Sequence, residues 1–195
     1  EATGYFHNPG IQKYDYDPDS ARAILAAEGF ADRDNDGVLE DDRGNPVEFS
    51  LFTNAGNNDR RKYCEIIRKD LEQIGIRVHF SVLEFNNLVD KLDHSYDWET
   101  IVLGLTGTED PHEGSNVWRS SARTHLWYPY QDTPSTAWEA RIDSIFEAGA
   151  KELYRAKRKK LYDQWQEIYA RQLPYVTLVA KYRLYAVRNT FGNLN

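Results

Sequence analysis

Two stretches of this sequence carry residue types and spacings that could do chemistry. In Asp32-x-Asp34-x-Asp36-Gly37, carboxylates stand at loop positions 1, 3 and 5 and glycine at 6. That is the opening of a calcium-binding loop, where glycine permits the sharp turn and the next carbonyl adds a ligand. The glutamate that would close such a loop at position 12 is replaced by Arg43, so Glu40, Asp41 or Asp42 would have to close it. The same residues also read as a solvated acidic turn, and both readings stay open. The second stretch is Leu103-Gly104-Leu105-Thr106-Gly107-Thr108-Glu109-Asp110-Pro111. Its two glycines let backbone approach a ligand, and two carboxylates follow at the carboxyl end of an expected strand, where open α/β sheets hold ligands. Paired carboxylates can do acid–base work, but adjacent residues face apart and no nucleophile accompanies them. Binding is therefore the favoured reading. A hydrolase using Glu109 and Asp110 is one alternative, and a calcium-stabilised interaction module is another.

The remaining reactive side chains form no constellation. His7, His79, His94, His112 and His125 show no metal-ligand spacing with each other or with Cys64. His79 is expected on a strand surface, and His112 and His125 on a long loop within reach of a ligand or simply as loop residues. Cys64 is expected as a buried, inert thiol on a helix. No nucleophile elbow, phosphate loop or dinucleotide fingerprint is present.

Composition narrows the class further. The chain has 195 residues, 24 Lys+Arg against 31 Asp+Glu, a net charge of −7, one cysteine and no methionine. The length suits one domain, taken as 1–195. The acidic balance argues against a nucleic-acid partner, which needs a positive stripe. The basic run from Lys151 to Lys160 reads as a solvated helix face, with Asp163 and Glu167 placed for i, i+4 pairing. Apolar runs such as Ile101-Val102-Leu103 are too short to span a bilayer. A chain that opens on Glu1 and lacks methionine throughout is expected to be a processed or excised piece, so it carries no evidence for a compartment.

The elements that must position these residues follow from periodicity. Asp17 as N-cap and Pro18 at N1 start a helix that Gly29 ends. Val47, Phe49 and Leu51 alternate in a strand over 47–53. Asp59 caps a helix to Ile74 with Tyr63, Ile66, Ile67, Leu71 and Ile74 inward, and Ile76 to Val82 alternates again. Strand, helix, strand in this space is a βαβ unit with parallel strands. A short helix near 85–92 and a strand over 99–105 follow. The aperiodic stretch 106–133 is rich in aromatics, Trp118 and Trp127 among them, and is expected to be a packed excursion. Ser135 or Thr136 caps a helix carrying Trp138, Ile142, Ile145 and Phe146. A longer helix covers about 151–172 with Leu153, Leu161, Trp165 and Ile168 inward, and strands at 175–180 and 184–188 close the chain. The sum is an α/β fold with a mixed sheet flanked by helices.

In order along the chain, several motifs resemble the family 5 extracellular solute-binding proteins, the oligopeptide and dipeptide receptors of ABC importers. They are Tyr16-Asp17-Pro18-Asp19-Ser20-Ala21-Arg22, Asp36-Gly37-Val38-Leu39-Glu40, Arg68-Lys69-Asp70-Leu71-Glu72-Gln73-Ile74-Gly75-Ile76-Arg77-Val78 and Gly104-Leu105-Thr106-Gly107. Asp110-Pro111-His112, Ser115 to Ser121, Trp138 to Asp143 and Gln172-Leu173-Pro174 continue the match. The resemblance implies one lobe of a two-lobe, class II-like periplasmic binding protein, the C-terminal one, with an N-terminal lobe missing. It implies a periplasmic or extracellular receptor, with a peptide or other small solute as ligand and ABC permease subunits as partners, and no enzyme activity. Ligand contacts are then expected at Gly104, Leu105, Thr106, Gly107, Thr108, Glu109, Asp110 and Trp118. The acid that captures a peptide's amino group in the family falls at Thr108 or Glu109, and Leu105 replaces a frequent large aromatic. With half of the cleft absent, the chain alone is expected to bind its solute weakly or not at all.

Overall fold

Asp17 sets the first helix: its side chain accepts the Ser20 amide at 3.0 Å, and Pro18 follows at the first helical position. The computed structural model describes residues 4–180. Helix α1, Pro18–Ala27, runs to a glycine at Gly29 with φ +92. Contacts divide the chain into two compact units, residues 14–106 and residues 1–13 with 107–195.

The unit of residues 14–106 is built on the expected βαβ. Strand β1, Glu48–Asn54, leads into α2, Asn58–Glu72, and back into β2, Arg77–Leu83, which pairs parallel to β1 in register from Glu48↔Arg77 to Asn54↔Leu83. Gly75 makes the return turn at φ +85, and a Cβ there would stand 2.7 Å from Leu39 Cγ, so both conformation and space require glycine. The cap of α2 is Asn57 rather than Asp59. The positive φ of Gly56 delivers Asn57 in extended conformation, with its Oδ1 3.0 Å from the Arg60 amide. Cys64 is fully buried with Leu51, Val78 and Val102, and Ile67 and Leu71 pack around them. Ile66 is not part of that face and stays 57% exposed. One sheet surface covers a stripe about 100° wide, and Ile66 lies one residue's rotation outside it.

Helix α3, Phe85–Asp90, continues as a wide π turn, Lys91–Ser95. Strand β3 then contributes only Thr100–Ile101, and the sheet order is β2-β1-β3, all parallel. The strand expected over 99–105 is cut short although β1 runs on to Asn54, which the register would set opposite Leu103. Val102 still donates to the Phe52 carbonyl, and its own carbonyl is taken by the Thr53 hydroxyl at 2.9 Å.

In the other unit, a 3₁₀ turn at Pro111–Gly114 leads into α4, Ser115–Trp118. Thr136 opens α5, Ala137–Lys151, with a reciprocal capping box to Glu139, and α6 spans Arg155–Gln172. Ile142, Ile145, Phe146 and Tyr162 are buried between α5 and α6, and Phe6, Trp118, Trp138 and Trp165 pack on them. The stretch 106–133 is indeed packed, with Ser120, His125, Leu126 and Gln131 buried. Two expectations fail here. The long helix begins at Arg155 and not near 151, because Glu152 turns extended and its carboxylate takes the Tyr154 amide, which leaves Leu153 94% exposed rather than inward. Among the described residues, 175–180 form no strand: Val176 and Val179 are exposed and no ladder within 4–180 holds them. The expected strand 184–188 lies outside the described residues. The α/β class stands, and the three described strands pair in parallel.

Candidate functional site

At the carboxyl ends of β1 and β3, Asn54 and Gly104 flank the guanidinium of Arg60. Arg60 sits in the first turn of α2 and reaches back to Asn54 Oδ1 at 2.5 Å. A Cβ on Gly104 would stand 2.7 Å from Arg60 Nη2, so the missing side chain is what lets the cation lie against the backbone. Leu105 and Thr106 follow, both exposed, with Leu105 at 54%.

Gly107, Thr108 and Glu109, at the start of the other unit's long segment, are exposed as well. Asp110 differs. Arg158 grips it with both ends of its fork, Nη1 to Oδ2 at 2.6 Å and Nη2 to Oδ1 at 2.8 Å, while the His112 amide donates to Oδ1 at 2.9 Å. These bonds, led by Arg158, hold the Asp110 carboxyl below the usual carboxylate range despite partial burial. Arg158 also donates to the Gly149 carbonyl at 2.8 Å and faces the rings of Phe6 and Tyr162. Gly149 has no room for more, since a Cβ would meet the Tyr162 hydroxyl oxygen at 2.6 Å. Asp110 is thus a structural anchor and Glu109 is the carboxylate left open. Glu109 borders a shallow open cleft of about 500 Å³ with Tyr5, Ala150, Glu152 and Arg155.

Trp118 is half-buried, with ring contacts to Trp127, Trp165, Tyr169 and Tyr175 at 5.0 to 5.8 Å between centroids. It belongs to the packing of its unit. Deeper in that packing lies a charged hub. Glu139, 2% exposed, accepts from Trp127 Nε1 at 3.0 Å and Gln131 Nε2 at 2.9 Å on one oxygen. Its other oxygen accepts from Ser135 Oγ, Thr136 N and Thr136 Oγ1 at 2.8 to 2.9 Å. Burial alone would raise its pKa, but the bonds from Gln131, Thr136, Trp127 and Ser135 outweigh it and bring the value down to about 2. His125, also buried, places Nε2 3.4 Å from this carboxylate and Nδ1 3.1 Å from the Val117 carbonyl. His79 is exposed, 3.0 Å from Glu48, and burial pushes the Cys64 thiol up to about 11.

The acidic loop does converge: one ligand atom from each of Asp32, Asp34, Asp36 and Glu40 lies within 4.8 Å of the others. Of the three residues that could close such a loop, Glu40 is the one in this group. The oxygens also serve the loop itself, Asp32 taking the Gly37 amide, Asp34 the Asp36 amide, Asp36 the Val38 amide and Glu40 the Arg33 amide, at 2.7 to 3.0 Å. Arg77 adds a cation 2.8 Å from Asp36 Oδ2. The Val38 amide, then Arg77, hold Asp36 below its ordinary value.

Residues 2–125 match the family model of bacterial extracellular solute-binding proteins, family 5, middle part. The chain belongs to this family. A probable ABC transporter-binding protein of Deinococcus radiodurans is 28% identical over 88% of the chain, and the oligopeptide-binding protein AppA of Bacillus subtilis is 26% identical over 86%. The chain spans 31% and 30% of those relatives' lengths. The structure of AppA in complex with a nonapeptide superposes on 88% of the chain at a TM-score of 0.73 and 24% identity, and the chain covers 33% of it. The periplasmic binding protein MelB from Agrobacterium fabrum, in complex with stachyose, reaches 0.78 over 87% of the chain at 20% identity, and the chain covers 27% of it. These likenesses place the fold among the periplasmic binding proteins. The named relatives are binding proteins, which leaves the hydrolase alternative unsupported.

Of the residues that family resemblance singled out, Gly104 to Glu109 form one exposed run, while Asp110 and Trp118 face inward on partners of their own. Sequence reasoning missed Arg60, Arg158 and Glu139. For Glu139 a local signal existed, since Thr136-x-x-Glu139 is a capping-box spacing. For Arg60 and Arg158 there was none, because their partners stand far along the chain or behind a turn.

Proposed function

We propose that this chain is the C-terminal lobe of the substrate-binding component of an ABC importer, which holds a peptide or related small solute between two lobes and delivers it to a membrane permease. The remainder of the receptor would supply the other lobe, as the 31% span of the Deinococcus relative suggests. The receptor would work in the periplasm or outside the cell; no helix among the described residues is long and apolar enough to cross a membrane. Ligand contacts fall on the run Gly104, Leu105, Thr106, Gly107, Thr108 and Glu109.

The observation that carries this reading is the division of labour between adjacent carboxylates. Asp110 is saturated by Arg158 and the His112 amide, whereas Glu109 is exposed with no hydrogen-bond partner among the described residues. An exposed carboxylate beside flexible glycines suits capture of a solute's amino group. Calorimetry tests it. The chain alone is expected to give no micromolar binding with a di- and tripeptide panel, and micromolar affinity would overturn the need for a second lobe. In the complete receptor, Glu109→Gln is expected to weaken amine-bearing solutes by tenfold or more, about the worth of one charge-assisted hydrogen bond. Equal binding by both forms would remove Glu109 from the site.

A further inference from the structure

Between α5 and α6 the chain turns a corner whose side chains add little to the core. Leu153 is 94% exposed and Tyr154 70%. Helix α6 then opens against its own dipole. No acid stands in its first turn, Tyr154 makes no side-chain cap bond, and Arg155, Lys157 and Arg158 come first. Cations at that end cost stability, and an apolar tip in water gains none. A single exposed leucine is ordinary. A leucine and a tyrosine projecting beside a cluster of cations is a combination that local folding does not call for.

The charges show what is left over. Lys151 is paired with Glu147 at 2.7 Å, Arg158 with Asp110 and Lys159 with Asp163, both at 2.6 Å. Glu152 commits a carboxylate oxygen to the Tyr154 amide at 2.7 Å. Arg155, Lys157 and Lys160 are exposed, with no carboxylate partner among the described residues. The Arg155 guanidinium lies 3.9 Å from the Tyr5 ring and Lys157 Nζ 4.9 Å from the Tyr154 ring, so aromatic faces keep these cations beside the apolar tip. Glu109 borders the same cleft as Leu153 and Arg155 and subtracts one charge from an excess that stays positive.

A fitting partner is anionic, has an apolar interior that a projecting leucine can enter, and needs no pocket shaped to this corner. A bilayer of anionic phospholipid meets all of this. Leucine passes into the acyl boundary, tyrosine rests at headgroup depth, and lysine and arginine meet the phosphates. A stable protein interface draws instead on about 20–30 residues a side. The chain's net charge of −7 does not prevent the contact. In about 0.1 M salt, charges more than roughly 10 Å from the surface are screened, while those at the corner are not.

We infer that the corner of Leu153, Tyr154 and Arg155, with Lys157 and Lys160, is a membrane-contact patch that seats this unit on an anionic phospholipid surface. The contact does not rest on the solute-binding reading and adds an orientation to it: the cleft that Glu109 borders is held toward the bilayer.

Sedimentation of the chain with vesicles in about 0.1 M salt tests this. Vesicles of equal parts phosphatidylglycerol and phosphatidylcholine are compared with phosphatidylcholine alone. The mixed vesicles are expected to bind in the millimolar lipid range, roughly tenfold or more tighter than the neutral ones. Lys157→Gln and Lys160→Gln should each weaken binding roughly fivefold, the worth of one cation at such a surface. Leu153→Ser should weaken it roughly tenfold, the low end for burying a leucine side chain. All three positions are exposed, and circular dichroism confirms that each variant folds. A nitroxide placed just below the lipid headgroup should broaden the Leu153 methyl resonances before those of other leucines. Equal binding to both kinds of vesicle, or undiminished binding by Leu153→Ser, would overturn the inference. Soluble poly-glutamate binding as tightly as the mixed vesicles would also overturn it and assign the corner to an acidic protein. Binding to neither kind of vesicle removes the patch and leaves the solute reading to its own calorimetry.

Discussion

Replacing Glu139 with glutamine should remove about 3 kcal/mol of stability at neutral pH. Glutamine keeps the shape but turns one acceptor oxygen into a donor NH₂. Whichever way it is placed, donors now face donors: Trp127 and Gln131 at one end, or Ser135 and both Thr136 groups at the other. The magnitude comes from the shift of the carboxyl from 4.5 to about 2, which at 1.36 kcal/mol per pKa unit is roughly 3 kcal/mol. The side chain is only 3% exposed, so solvent screening takes little from it. Because the folded pKa is depressed, this stability is fully present above the unfolded value near 4.5 and is lost as pH falls toward 2. Urea unfolding followed by tryptophan fluorescence, on wild type and Glu139→Gln at pH 7 and at pH 3, reads both effects. The gap between the proteins should be large at pH 7 and clearly smaller at pH 3. A gap under about 1 kcal/mol at pH 7, or one that does not change with pH, would refute the reasoning.

Arg158→Met keeps the stem but drops the fork, and is expected to cost about 1–2 kcal/mol, reduced by the partial exposure of Asp110; a double-mutant cycle with Asp110→Asn should show coupling, and additivity would count against the clamp. Gly149→Ala drives a methyl group into the Tyr162 hydroxyl and should destabilise by about 1–3 kcal/mol, with Tyr162→Phe recovering part of the loss in the same background; no recovery would place the strain elsewhere. The acidic loop is expected to be held by its own amides and by Arg77, so thermal midpoints in 10 mM calcium and in chelator should agree. A midpoint several degrees higher in calcium, absent from Asp34→Asn, would instead make the loop a cation site; a Kd of about 1 mM would already give about 1.4 kcal/mol at that concentration.

What could be read from the sequence was local. The Asp17–Pro18 start of α1, the βαβ alternation around Cys64 and the Thr136 cap all depend on neighbours within a few positions, and periodicity reports such neighbours directly. The end of β3 coincides instead with the Thr53 hydroxyl taking the Val102 carbonyl, a contact 49 residues apart that Ile101-Val102-Leu103 does not encode. Leu153 looked inward by spacing because a helix was assumed to be continuous, yet the Glu152 carboxylate turned on the Tyr154 amide and broke the phase. Residues 175–180 have strand composition, but composition alone names no partner, and none within residues 4–180 forms a ladder with them. At the candidate site, the glycines and acids of 104–110 were visible, while the distinction between Glu109 and Asp110 was not. It is decided by Arg158, 48 residues away, whose place in a basic run suggested solvent; Lys151, exposed and paired with Glu147 at 2.7 Å, does keep to that pattern.

One unit is assembled from two stretches separated by residues 14–106. Its first stretch is tied down by Gln166, which accepts from the Asn8 amide at 3.0 Å and donates to the Phe6 carbonyl at 2.8 Å. On the ribosome, Phe6 and Asn8 are made about 160 residues before their partner, on the order of ten seconds or more at ordinary synthesis speeds. Residues 14–106 are complete long before then. The Tyr5–Phe6 pair thus lacks its α6 partners for the whole of that interval, so this unit closes only after α6 has emerged, later than the βαβ unit it encloses in sequence.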